Sequence, residues 1–233
     1  MKPYTYLLFD VDQTLLDFHR SEHEAIIQTL TEYACPVSEH IVSLYSRVND
    51  EHWKMLERGE IDRATLRWRR FAALGERAGF VIADPEAFAC SYEENLSQKS
   101  YLLDGALEVC RRLSGHYEMC TVTNGHARVQ HGRFDPSPLA PLFSHCFISG
   151  EMGCNKPSQA FFDIVCQTLP ELEPGKTLVI GDSLTSDIAG GVAWGCDTCW
   201  LCPAAEQRLR AEQMGLRPTY IVERLEQILD ILL

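Results

Sequence analysis

No stretch of this 233-residue chain approaches the roughly 20 consecutive apolar residues that a membrane helix needs. No secretion signal precedes the first short apolar run at residues 4–9. The chain is therefore expected to be cytoplasmic. Basic residues are scarce: Lys+Arg number 21 against 33 Asp+Glu, a formal net charge of -12. Such a surplus repels phosphate backbones and anionic lipid unless cations cluster, and the longest basic cluster is Arg67 to Arg70, broken by Trp68. Nucleic-acid polymers and membrane surfaces are excluded as expected partners. Closely paired cysteines are lacking as well. The ten cysteines are scattered, and the densest group is Cys196, Cys199 and Cys202. An extended segment there would turn thiols at odd spacing to opposite faces, so reduced thiols are expected rather than disulfides or a metal centre. There is no internal repeat and no low-complexity segment.

What is present is a series of short apolar runs with helical segments between them. Candidate strands are residues 4–9, 118–122, 146–148, 177–180, 198–201 and 220–222. Candidate crossover helices cover 104–114, 158–167, 184–194, 204–214 and 223–232. Short buried strands joined by helical crossovers predict a parallel sheet. Residues 18–98 carry helical periodicity but no strand pattern. Ala25, Ile26, Leu30 and Tyr33 fall on one face, Leu44, Tyr45 and Val48 continue the pattern, Gly59 separates two helices, and Gly75 and Gly79 punctuate the Arg-rich one. The fold class is thus α/β, a Rossmann-like parallel-sheet core with an inserted all-helical domain. Its expected division is 1–17 with 99–233 as core and 18–98 as insertion. The three prolines in 135–141 predict a turn or loop.

The polar residues just past the candidate strands carry the chemistry. The first strand delivers Asp10-Val11-Asp12-Gln13-Thr14. If the turn breaks strand alternation, both acids face one cleft, where their repulsion calls for a cation. The alternative for these acids is turn capping and solvation. The second strand ends in Thr123-Asn124-Gly125, a hydroxyl, an amide and an open backbone N–H that can cradle phosphate or cap a helix. Lys156-Pro157 follows the third strand, and Gly181-Asp182 with Asp187 follows the fourth. These groups coincide at the sheet edge where open α/β sheets gather ligands.

In these motifs and their order the whole chain resembles the haloacid dehalogenase superfamily. The resemblance implies a helical cap inserted after the first motif, Asp10 as nucleophile toward phosphorus, and Asp12 as general acid and base. It implies a magnesium ion, or manganese or cobalt, held by the Asp10 side chain, the Asp12 backbone carbonyl and Asp182. Asp187 would support the metal's water shell or Lys156. Thr123, Asn124 and Lys156 would hold the phosphoryl group. Dehalogenases of the superfamily usually lack an acid two residues after the nucleophile, so Asp12 points to phosphate esters. Ion pumps with these motifs need membrane spans. The chain is more narrowly similar to the phosphatases of pyrimidine nucleoside 5'-monophosphates, through Thr123-Asn124-Gly125, Gly59-Glu60-Ile61, Asp187 before Gly190-Gly191, and Thr198-Cys199-Trp200-Leu201. Residues 135–138 depart from that pattern.

The expected partner is therefore a small phosphorylated substrate, with a nucleotide first. Trp53, Trp68, Arg69 and Arg70 are the cap residues suited to a base, since aromatic faces stack and guanidinium groups meet anions. The competing reading for them is helix core and solvated surface. Alternatives for the whole chain are a sugar or small-organic-acid phosphatase, a phosphomutase, or a non-catalytic binder of a phosphorylated ligand. The oligomeric state is left open by the sequence.

Overall fold

The computed structural model describes residues 4–202 and 211–233. Strands β1 (Tyr6–Phe9), β2 (Glu118–Thr123), β3 (His145–Ile148), β4 (Thr177–Gly181), β5 (Asp197–Leu201) and β6 (Tyr220–Val222) form one parallel sheet in the order β3-β2-β1-β4-β5-β6. The first strand, β1, is wholly buried and lies between β2 and β4. In register, Phe9 stands opposite Thr121 on one side and Ile180 on the other, so the turns after all three strands emerge at one level. Leu7 and Phe9 pack into the apolar cluster on one face, and Tyr6 and Leu8 into that on the other. This period of two buries β1 on both sides. Cys196, Cys199 and Cys202 belong to three different apolar clusters, and all ten cysteines are free.

Helices α1 (Phe18–Glu32), α2 (Glu39–Glu57), α3 (Arg63–Ala78) and α4 (Pro85–Ser97) form the inserted cap. Each opens on a side-chain N-cap: Asp17, Ser38, Asp62 and Asp84 accept backbone N–H groups of the first turn. Arg58 ends α2 and Gly59 comes next in the left-handed conformation, which turns the chain into α3. The cap has its own core, in which Phe71 lies between Tyr45, Phe88 and Tyr92 with ring centres 5.0–5.5 Å apart. Tyr33, expected on the buried face, is instead exposed, because α1 ends at Glu32; its ring leans on Phe88 from outside. Gly75 does not interrupt α3. A side chain there would meet the Phe80 carbonyl at 2.7 Å, where the chain folds back on the helix.

The two chain crossings between sheet and cap run side by side. Asp17 N donates to Tyr101 O at 2.8 Å, Leu103 N to Leu15 O at 2.9 Å, and the Ser21 hydroxyl to Lys99 O at 3.0 Å.

Around the sheet lie α5 (Ala106–Leu113), α6 (Ala127–Phe134), α7 (Ser149–Met152), α8 (Gln159–Thr168), α9 (Ala189–Trp194) and α10 (Ile228–Leu232). Helices α6 and α7 are additions to the expected set; each is short, and α6 reads Ala-Arg-Val-Gln-His-Gly-Arg-Phe, with too few apolar positions to show a face. Residues 184–188 form a wide π-type turn before α9 instead of one continuous helix, and 223–232 shorten to a single 3-10 turn plus α10. The proline-rich 135–141 segment is a turn leading into a 3-10 turn, as its composition dictates. Of the helix expected over 204–214, residues 204–210 lie outside the described residues. Among the described residues no helix is long and apolar enough to cross a membrane.

Replacing Phe71 by Ala empties the centre of the cap core and is expected to cost about 3–5 kcal/mol. Hydrogen exchange should show protection lost across residues 18–97 before it is lost in β1, β2 and β4. Uniform loss across both would show that the cap has no separate core.

Candidate active site

The site is built where β1, β2 and β4 end. Directly after β1, Asp10 N still donates to Ile180 O at 2.8 Å, which holds the residue at the mouth of the sheet. The chain then turns: Leu15 and Leu16 N–H groups both return to Val11 O at 2.9 Å, and Gln13 takes a positive φ of 58°. Gln13 lies beyond both acids, and residues two apart on extended backbone share a face. Asp10 and Asp12 line the same cleft, of ≈ 290 Å³, together with Thr123, Asn124 and Asp182. A larger hollow of ≈ 480 Å³ adjoins it beside residues 223–226, but it touches none of Asp10, Asp12 and Thr123.

Lys156 is the centre of the arrangement. Its side chain is fully buried, and Nζ donates to Asp10 Oδ1 at 2.8 Å, to Asp187 Oδ1 at 2.6 Å and to Val122 O at 2.5 Å. Burial alone would strip its proton, yet the Asp10 and Asp187 carboxylates outweigh that and hold the ammonium above its ordinary range. Asn124 fixes the lysine from the main chain: its Oδ1 accepts from Lys156 N and its Nδ2 donates to Lys156 O, both at 2.8 Å. The side chain expected to meet phosphate thus spends its amide on positioning Lys156. Thr123 Oγ1, also buried, accepts from Gly125 N at 3.3 Å and from Gln130 Nε2 at 3.1 Å.

Asp187 is likewise fully buried, and its Oδ2 accepts from Ser183 N at 3.0 Å. Gly181 is required beside it, since a Cβ there would stand 2.2 Å from Asp187 Oδ2. Oxygens of Asp10, Asp182 and Asp187 all lie within 4.8 Å of one another. Three carboxylates around one ammonium leave a surplus of negative charge. It shows in the protonation behaviour: the Asp10 carboxyl is pushed up to about 7, foremost by burial, with Lys156 opposing and Asp187 and Asp12 adding. Asp182 is also driven up, by burial first and then by Asp10 and Asp187. All-oxygen donors with unbalanced charge at a cleft fit a hard divalent cation.

Asp12 is held differently. Its Oδ1 accepts from Arg133 Nη1, and its Oδ2 from Gln130 Nε2 at 2.6 Å. Neither Gln130 nor Arg133 stands out in the sequence. Their one signal is spacing, three residues apart on a helix that follows the Thr123 turn directly.

From the cap, Trp53 and His19 line the cleft, along with Glu22, Ser46 and Asn49. Glu22 is buried and accepts from the Ser46 hydroxyl and the Asn49 amide, both at 2.7 Å. Arg70 is buried behind them, donating to Asn49 Oδ1 at 2.7 Å, and it borders a smaller hollow of ≈ 40 Å³ that also touches Asp12 and Trp53. Trp68 lies outside the cleft, contrary to expectation, and Arg69 is exposed. Two residues from Arg70 is about 200° around a helix, so Trp68 projects away from the side of α3 on which Arg70 meets Asn49. Arg63, unremarked in the sequence, reaches from α3 to the sheet side: it donates to Asn124 O at 3.4 Å, Gly125 O at 3.3 Å and Ser149 Oγ at 2.6 Å, and also to Asn155.

Residues 4–195 match the family profile of the haloacid dehalogenase-like hydrolases. The chain belongs to that family. Among curated haloacid dehalogenase-like relatives, it is 34% identical over 232 residues to YfnB of Bacillus subtilis (strain 168), covering 100% of this chain and 97% of that protein. It is 36% identical over 231 residues to the pyrimidine 5'-nucleotidase PynA of Streptococcus pneumoniae (strain ATCC BAA-255 / R6), covering 98% and 95%. The crystal structure of magnesium-bound B. subtilis YfnB superposes with a TM-score of 0.92, covering 99% of each chain.

The protonation of Asp10 has a measurable consequence for this hydrolase. Without a divalent ion, the folded chain keeps a proton that an unfolded carboxyl of ordinary pKa 3.8 has shed. The contribution of Asp10 to metal-free stability is therefore full below pH 3.8 and lost as pH rises through about 7. A divalent cation bound at Asp10 would compete with that proton, so the effect of added magnesium on the melting temperature should be larger at about pH 8 than at about pH 5.5. Equal shifts at both values would contradict the assignment of Asp10 to the cation site.

Proposed function

We propose that this hydrolase is a magnesium-dependent phosphomonoesterase working through an aspartyl-phosphate on Asp10, and that its substrates are pyrimidine nucleoside 5'-monophosphates. The observation that carries the chemistry is the buried Asp10–Lys156–Asp187 ion triad, with Asp182 within 4.8 Å of both acids and Asp12 in the same cleft. A carboxylate approaches a phosphate dianion only if positive charge is already in place. Lys156 supplies part of it, fixed by Asp187 and Asn124. Asp10, the Asp12 carbonyl and Asp182 would hold a magnesium ion, which would supply the rest of the positive charge when bound. The magnesium-bound crystal form of YfnB supports the choice of metal.

Asp10 forms a bond to phosphorus while the bond from phosphorus to the ester oxygen breaks, and Asp12 gives that oxygen its proton. Asp12, now ionised, takes a proton from the water that attacks phosphorus, and the bond to Asp10 breaks to release phosphate. Thr123 and the backbone N–H groups of the Asn124 turn hold the phosphoryl oxygens. Asn124 acts through Lys156. Residues 18–98 serve as the cap over a core of 1–17 and 99–233, and the interdomain movement described for YfnB supports a cap that opens for exchange.

For the substrate, the support is twofold. PynA is a pyrimidine 5'-nucleotidase, as is YjjG of Escherichia coli (strain K12), 25% identical over 229 residues. The cleft volume, ≈ 290 Å³, lies at the small end of ligand pockets, which run from about 300 Å³ upward. Trp53 offers a ring face, and Ser46 and Asn49 offer polar groups fixed by Glu22 and Arg70. A small diffusible ester suits a cleft of this volume.

Phosphate release from a panel of nucleotides and sugar phosphates, with magnesium and then with chelator, tests both parts. Pyrimidine nucleoside monophosphates should be fastest, chelation should stop release, and Asp10→Asn should lower the rate on the order of a thousandfold or more. Equal rates across nucleotides and sugars remove the pyrimidine assignment, and undiminished turnover by Asp10→Ala removes the mechanism. Trp53→Ala should raise KM for the nucleotide roughly tenfold, through lost stacking.

A further inference from the structure

One buried cation has no part in the chemistry described so far. Arg133, near the end of α6, has no solvent exposure. Its guanidinium donates from Nη1 to Asp12 Oδ1, from Nε to Lys99 O at 3.1 Å and from Nη2 to Ser21 Oγ at 3.4 Å, and it lies 5.5 Å from the ring centre of Phe18. These partners come from three places: the loop after β1, the chain entering the cap, and the chain leaving it. The main chain at the same point is tied to the second crossing as well. Arg133 O accepts from Ser100 Oγ at 2.6 Å, and Gly132 packs so closely that a Cβ would stand 2.7 Å from Ser97 Cβ. Gln130, one turn earlier, holds the other oxygen of Asp12.

We propose that Arg133 is a positioning residue that couples the orientation of Asp12 to the placement of the cap. A guanidinium is a planar fork whose donors have fixed directions, so it satisfies Asp12, Lys99 O and Ser21 together only while both crossings sit where they do here. A buried guanidinium stripped of a partner is costly, so the fork does not simply let one go. Movement of the crossings therefore moves the fork, and the fork moves the carboxylate. Asp12 is in place when the cap is, and a displacement on the order of 1 Å at a reacting group is enough to slow chemistry about a hundredfold. The role given to Asp12 rests on the phosphomonoesterase reading, whereas the coupling itself is a property of the fold.

Two measurements separate these. In hydrogen exchange, Arg133→Gln and, more mildly, Arg133→Lys should speed exchange in residues 17–21 and 99–101 while β1, β2 and β4 stay protected. Asp12→Asn should do the same, because coupling between two sites is reciprocal. In phosphate release, Arg133→Gln should lower kcat about 10- to 100-fold with KM changed less than about threefold. The loss should shrink to less than about threefold when Asp12 is already Asn, since the arginine would act through that side chain. Linker exchange unchanged in all three variants, or the same loss of rate with and without Asp12, would overturn the proposal. If the parent enzyme releases no phosphate from any ester, the functional reading fails, and the exchange result still decides the coupling.

Discussion

A single ammonium group organises this molecule's working end. Lys156 is buried among two carboxylates and a carbonyl, and each element that reaches it is fixed by doing so: β1 through Asp10, β2 through Val122 O, and the turn after β4 through Asp187. A buried ion pair of this kind is weak evidence for added stability, because desolvating three charges offsets most of their attraction. Its contribution is geometric. It sets the spacing of strand ends that would otherwise be free to splay, and it brings negative charge to the mouth of the sheet in excess of what one lysine neutralises. That residual charge, carried on oxygen donors, fits a hard divalent cation.

The cap is bound to this centre by few but specific contacts. Glu57 of α2 accepts from Thr185 Oγ1 at 2.9 Å, in the turn that carries Asp187. Arg63 of α3 spans to the carbonyls of the Thr123 turn, and its burial lowers its proton affinity. Arg133 ties both crossings to Asp12. The cap's aromatic core is distinct from the clusters flanking the sheet, and Val129 of α6 packs against it from the sheet side.

Most of the core was readable in the sequence for a physical reason. Parallel strands buried on both faces must be apolar throughout, and they stop where polar residues begin, so residues 4–9, 118–122 and 177–180 announce both the sheet and the place where its chemistry lies. Asp10, Asp12 and Asp182 stand at those ends, whereas Lys156, beyond β3 and α7, was singled out by the order of the motifs and the family they resemble and not by spacing alone. The helices that escaped notice, α6 and α7, are short and lack an apolar stripe. Trp68 was misplaced because composition names a side chain suited to a base without giving its phase on the helix.

Sequence alone thus determined the succession of strands along the chain, the helical nature of the cap and the carboxylates at the strand ends, because each is written in local periodicity or in residues a few positions apart. Tertiary structure alone decided which polar groups meet across long stretches of chain. Arg133 reaches Asp12, Lys156 reaches Asp10, and Asn124 spends its amide on the Lys156 backbone. Such pairings depend on where whole helices and strands come to rest, and no local pattern encodes the direction in which a long cationic side chain will extend once its neighbours have excluded water.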